Sequence, residues 1–243
     1  SLEMASIKDA FEESMQDQHS IWKYAIFAVP VYFCVQLYLD GAWGGFWTLA
    51  IPTYFLLFGF LAECTANVRN GKDSVLPTFN IFKLFWSGIK GTVALGPSIA
   101  INCFLASYIA GLLPNFLVEP KTCAIFQGIV WALFGAVILT GYLCYAKSFK
   151  ILDAYNLKVI SESCVDILVA VLFMLPQVAI ANALLLVPVS YLIWVFLGIP
   201  HPVAIYYWCA VGIFNLAMCG HYLAQVDYEA IGTRENEQKD KIL

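Results

Sequence analysis

Charge is what this chain has least of. Asp, Glu, Lys and Arg make up 12% of its 243 residues, about half their share in ordinary soluble domains. A soluble globular domain is therefore a poor description of it. The basic residues are outnumbered by acidic ones, net charge is −4, and no basic stripe runs along the sequence. That argues against nucleic acid as a partner. A cleavable signal peptide would need a short basic segment ahead of its apolar run, but Glu12, Glu13 and Asp17 stand there instead. The first apolar helix is expected to stay in the mature protein. Ser1-Leu2-Glu3 reads as an appended leader, with Met4 the native start.

Signatures of catalysis are lacking as well. There is no HExxH, no G-x-S-x-G and no P-loop. His19, His201 and His221 lie far apart, without paired metal-ligand spacing. His201, between Pro200 and Pro202, reads as a structural residue of an outer loop. The eight cysteines, Cys34, Cys64, Cys103, Cys123, Cys144, Cys164, Cys209 and Cys219, include no CxxC. Nearly all fall in apolar runs, where a thiol packs as a small hydrophobe. A disulfide framework or zinc site is not supported, and no metal or cofactor is expected.

Apolar runs fill the space that charge leaves. The chain is 61% hydrophobic and holds seven Trp, a residue that favours membrane interfaces. A membrane-spanning helix needs about 20 mainly apolar residues. Six stretches qualify: Ile21–Leu39, Trp43–Cys64, Gly88–Leu113, Cys123–Tyr145, Ile167–Val187 and Val203–Ala224. The shorter stretch Pro188–Ile199 reads as a re-entrant piece, an extension of the fifth span or, less well, a seventh span. Six spans put both termini on one side. That side holds Lys8, Lys23, Arg69, Lys72, Lys83, Lys90, Lys147, Lys150, Lys158, Arg234, Lys239 and Lys241, leaving only Lys121 opposite. The positive-inside rule makes it the cytoplasm.

A recurrence organises the six spans. Gly59-Phe60-Leu61, Gly141-Tyr142-Leu143 and Gly220-His221-Tyr222-Leu223 each close an apolar run, the last with one extra residue, and their glycines fall 82 and 79 residues apart. Pro30, Pro97 and Pro176 each sit in the first helix of a pair and should kink it, freeing a carbonyl that needs a partner inside lipid. The expected fold is all-α: an integral membrane bundle of about six helices. It is built as one membrane domain over 1–243, with repeated kinked hairpins at about 7–72, 78–155 and 157–232. Segments before the odd-numbered spans, such as Ile7, Phe11, Met15 and Trp22, or Phe82, Trp86 and Ile89, carry a narrow apolar face. Leu157, Ile160 and Cys164 repeat this more weakly. Such a face suits either the membrane surface or a neighbouring helix.

Short strings in the second span and following loop carry a family resemblance. They are Gly59-Phe60-Leu61, Asn67-Val68-Arg69-Asn70-Gly71, Leu76-Pro77 and Gly88-Ile89-Lys90. The pattern resembles an uncharacterised prokaryotic membrane family, domain of unknown function four-zero-one-three. Ala224 stands where that family's closing H-x-x-G-Q has Gly, Phe79 where Trp is usual, and Asn80 where an acid often follows. The resemblance implies a polytopic protein of the cytoplasmic (inner) membrane and implies no activity.

Ionisable groups within spans are functional candidates by default. Glu63, Asp166, His221 and Asp227 all fall near the cytoplasmic ends. Alignment on the recurrence places Glu63, Tyr145 and Gln225 at equivalent positions, two residues beyond each Leu. His221 and Gln225 share a helix face. Packed about a pseudo-threefold axis, Glu63, Tyr145, His221 and Gln225 would form one polar site able to bind a lipid head group or other small ligand, or to gate a cavity. Deeper amides, Asn102, Gln127, Asn182 and Asn215, read as hydrogen-bonding glue between helices. Gly128, Gly135 and Gly141 read as close helix contacts.

The bilayer is the one certain partner. The leading functional reading is a non-enzymatic membrane protein that binds or moves a small or lipid-like ligand. Mid-membrane charges are lacking, so ion coupling is disfavoured. The alternative is an accessory or scaffold subunit of a membrane-protein complex, using its amphipathic segments and the polar tail Thr233–Lys241. An intramembrane lipid-modifying enzyme would require an acid and a histidine within hydrogen-bond reach in an open cleft.

Overall fold

The structure, a computed structural model, describes residues 5–16, 19–198 and 201–232. Met4 and the polar tail Thr233–Lys241 lie outside the described residues. Within them the chain is all-α: α1 Ile7–Gln16, α2 Ser20–Leu39, α3 Trp43–Arg69, α4 Ile81–Leu112, α5 Pro120–Ser148, α6 Leu157–Leu197 and α7 Pro202–Asp227. Six of these, α2 to α7, are long and apolar enough to cross a membrane, as the apolar runs require. The protein is an integral membrane helical bundle. The stretch from Pro188 is the extension of the fifth span, since α6 runs unbroken through Pro176 and Pro188 to Leu197; Ile199 lies outside the described residues. Of the three amphipathic segments only the first gives a separate helix, α1 with Ile7, Phe11 and Met15, while its Trp22 falls in α2. Phe82 and Trp86 begin α4, and Leu157 and Ile160 begin α6, each continuous with its span.

Local chemistry sets the helix ends. Gly41 and Gly71 adopt φ of 69° and 63°, a left-handed conformation that glycine alone takes without a Cβ penalty. Each closes its helix with the paired bonds of a Schellman motif. The Gly71 N–H reaches the Val68 carbonyl at 3.1 Å and the Lys72 N–H reaches that of Asn67 at 3.0 Å. Gly41 and Ala42 do the same with Tyr38 and Leu37. Asn67, buried, then draws the loop back, its Nδ2 donating to the Val75 carbonyl at 3.2 Å and its Oδ1 accepting from Lys72 Nζ at 2.9 Å. Exposed aromatics, Tyr38, Trp43 and Trp47, pack with Phe46 around the α2–α3 turn, the place for an interfacial belt.

The chain forms two compact units. Among the described residues, one comprises 5–16, 19–89, 173–198 and 201–225, the other 90–172 and 226–232. In the first unit α7 is central. Phe214 sits edge-on to Phe11 of α1 and Tyr24 of α2, with centroids 5.2 and 5.4 Å away. Asn215 and Asn182 of α6 exchange amide bonds of 2.6 and 2.8 Å. Two glycines bring α3 and α4 close together. A Cβ on Gly59 would lie 1.8 Å from the Leu84 carbonyl oxygen, and one on Gly88 would lie 1.8 Å from that of Phe55. Backbone meets backbone at both points, so each carbonyl points at the C–H of a glycine, a weak but recurrent bond between helices.

In the second unit a Cβ on Gly141 would stand 3.0 Å from the Ala154 carbonyl. Gln127 of α5 donates to the Ala110 carbonyl at 3.0 Å, the group that Pro114 cannot serve because proline has no N–H. Side-chain donors also reach carbonyls close to other prolines, though not the i−4 carbonyl that each proline frees: Tyr207 donates to Leu185 at 2.6 Å, Gln177 to Phe173 at 3.1 Å, and Tyr206 to Ala25.

Three of the four amides expected as glue do bridge helices. Asn102 is the exception: it bonds back to Ser98 of its own helix at 2.8 Å. Gly128 and Gly135 also differ from expectation, with nothing within 4 Å of an added Cβ. Their spacing permits a close approach that no neighbour makes. The step glycines do share a role, since Gly220 too would bring a Cβ to 3.2 Å from Cys64.

Candidate functional site

The C-terminal half of α7 presents His221 and Gln225 one turn apart, and α1 lies against them. Ser6 is the N-cap of α1. Its Oγ accepts from the Asp9 N–H at 3.2 Å and its carbonyl from the Ala10 N–H at 3.2 Å. The remaining backbone N–H of Ser6, which a capping-box side chain would ordinarily satisfy, donates instead to Gln225 Oε1 at 2.7 Å. Gln225 Nε2 faces the Ser6 carbonyl at 3.4 Å and His221 Nδ1 at 2.8 Å. His221 Nε2 meets Glu13 Oε2 at 2.6 Å. The imidazole is 4% exposed and the Glu13 carboxylate 59%. Four residues from the two ends of the chain therefore form one polar node.

Glu63 lies in the same unit, buried on α3. Both its oxygens are taken by Lys83 Nζ of α4, at 2.9 and 3.1 Å. The lysine side chain is 52% exposed, so the pair has one buried end and one hydrated end. No hydrogen bond joins Glu63 to His221 or Gln225. Tyr145 belongs to the second unit. It is fully buried, with its ring edge-on to Phe149 at 5.7 Å. Of the three residues aligned by the recurrence and His221, added by its shared helix face with Gln225, the structure thus joins His221 to Gln225 and gives Glu63 and Tyr145 other neighbours. Asp227 is buried near the end of α7, and Asp166 is exposed near the start of α6.

Sequence reasoning missed Ser6, Glu13 and Lys83 as site members. The string Ser6-x-x-Asp9 does signal a helix start. Nothing local marks Glu13 as the partner of a histidine 208 residues away.

The buried atoms of the node are paired with one another, while its Glu13 carboxylate stays exposed. Both nitrogens of His221 are engaged, and Gln225 uses its oxygen and its amide nitrogen. Among the described residues no three His, Cys, Asp or Glu side chains are grouped to hold a metal ion. No family model, no curated protein and no solved structure matches this chain.

Proposed function

We propose that this chain is a non-enzymatic protein of a prokaryotic cytoplasmic membrane, with both termini cytoplasmic, serving as an accessory or scaffold subunit of a membrane-protein complex. One observation carries the reading: in the first unit the polar side chains of the candidate site bind one another. The acid–histidine pair Glu13–His221 leaves no ring nitrogen for a substrate, and Glu63 has both oxygens on Lys83. The polar interior holds helices together, while the apolar faces of the spans are what the protein offers its surroundings. Twelve of the thirteen basic residues lie on the side assigned to the cytoplasm, which supports the orientation. The family resemblance agrees with the location and supplies no activity. Cross-linking in native membranes before detergent, followed by mass spectrometry, should give a stoichiometric hetero-complex heavier than the 27.0 kDa chain. Recovery of the chain alone would overturn the proposal.

A second reading, binding or movement of a lipid-like ligand, has its own support in Lys83. That half-exposed ammonium could exchange Glu63 for an anionic head group. Native mass spectrometry of wild type and Lys83→Ala with added anionic lipid tests it. Equal lipid retention by both removes that support.

A further inference from the structure

We infer that the Ser6–Gln225–His221–Glu13 node is a proton-sensitive clasp for the N-terminal end of α1. Backbone polarity sets its direction. The Ser6 N–H can only donate and its carbonyl can only accept, so Gln225 must turn Oε1 to the former and Nε2 to the latter. An Nε2 so placed also donates to His221 Nδ1, 2.8 Å away, which must then carry a lone pair. The ring proton belongs on Nε2, where it donates to Glu13. Ser6 thus dictates the tautomer of a residue 215 positions away, through one amide.

A proton added to Nδ1 reverses this. Two donors would face each other across 2.8 Å. Turning the Gln225 amide over relieves that clash but sets its NH2 against the Ser6 N–H and its oxygen against the Ser6 carbonyl, neither of which can invert. The charged ring and the Ser6 clasp are mutually exclusive. Glu13 keeps its bond in both states, because Nε2–H donates in each. Charging His221 therefore releases the first turn of α1 and retains its last.

The surroundings leave this pair in control. From α1 the ring meets Glu13, and from α7 it meets the uncharged Gln225. The α3 helix, packed on neighbouring Gly220, brings Cys64 and Leu61, and its Glu63 is paired with Lys83 of α4. Tyr24 of α2 packs on Phe214 of α7, and its hydroxyl donates to the Ser14 carbonyl.

The test uses the full chain in detergent micelles with His19→Asn and His201→Asn, which leave one imidazole. Asparagine tolerates the left-handed backbone of residue 19 and can cap at residue 201. Nitrogen NMR is followed between about pH 8 and about pH 5, the span over which imidazoles change charge. The expected result is a neutral Nε2–H ring at the upper end. As Nδ1 gains its proton, exchange of the Ser6 amide should rise about tenfold relative to α7 amides, after correction for intrinsic pH dependence, as loss of one hydrogen bond implies. Gln225→Glu offers acceptors to both Ser6 and a protonated Nδ1, so it should abolish the step. An Nδ1–H neutral tautomer, ring protonation without a change at Ser6, or an unaltered step in Gln225→Glu would each overturn the clasp.

Discussion

The crossing of α3 and α4 yields the sharpest expectation. Phe55 and Gly59 are one turn apart on α3, as are Leu84 and Gly88 on α4. The two close approaches pair 59 with 84 and 55 with 88, so the helices run antiparallel with a glycine on each side. Gly59→Ala would place a methyl 1.8 Å from the Leu84 oxygen, where real contacts are not under 3.0 Å. The obstacle is backbone, so no rotamer change relieves it, and the helices must part by about 1.2 Å. Overpacking of this kind costs about 1–3 kcal/mol, and the weak C–H···O bonds forfeited at both glycines add about 0.5–1 kcal/mol each. A destabilisation of about 3 kcal/mol is expected for Gly59→Ala, and similarly for Gly88→Ala. Separating the helices once makes room for both methyls. The double variant should therefore cost about 3–4 kcal/mol, well short of the sum, a coupling that neighbouring sites commonly show. Reversible unfolding in mixed micelles gives all three values. Gly128→Ala and Gly135→Ala, with open space at the added Cβ, are the controls and should stay within about 1 kcal/mol of wild type. A Gly59→Ala value matching the controls, or an additive double variant, would refute the reasoning.

The other expectations concern polar groups. Lys83→Ala strands a buried carboxylate and should destabilise by about 2–3 kcal/mol, the cost of breaking a buried pair discounted because the lysine is half hydrated. Glu63→Gln, which leaves the lysine free to hydrate, should cost about 1 kcal/mol, and the same unfolding assay would reject the argument if this order were reversed. A double-mutant cycle on Asn182→Ala and Asn215→Ala should return a coupling of about 1–2 kcal/mol, at the upper end for bonds between membrane helices because two bonds are exchanged. Gln127→Leu should cost about 1 kcal/mol, and combination with Pro114→Ala should recover part of it by returning an N–H near the Ala110 carbonyl.

What could be read in advance follows from how far each force reaches along the chain. Lipid demands that every spanning backbone satisfy itself within its own helix, so α2 to α7 show in the sequence as six apolar runs. The αL glycines, Gly41 and Gly71, are equally local. His221 and Gln225 share a face by helical spacing alone. Their partners Glu13 and Ser6, 208 and 219 residues away, are chosen by the packing of α1 on α7, and a ten-residue amphipathic helix is compatible with lipid or with protein. The glycines show the same division. A small residue in an apolar run permits an approach, and something else must bring the neighbour. At Gly59 that is the Glu63–Lys83 pair one turn away, which draws α4 onto α3 where backbone can meet backbone. At Gly220 it is the polar node at His221 and Gln225. Gly128 has the Gln127 bridge to Ala110 beside it, Gly135 has apolar neighbours such as Trp131 and Leu133, and at neither does an added Cβ meet anything within 4 Å. A glycine in a membrane span thus permits a close approach that neither glycine spacing nor a polar bridge beside it is enough to bring about.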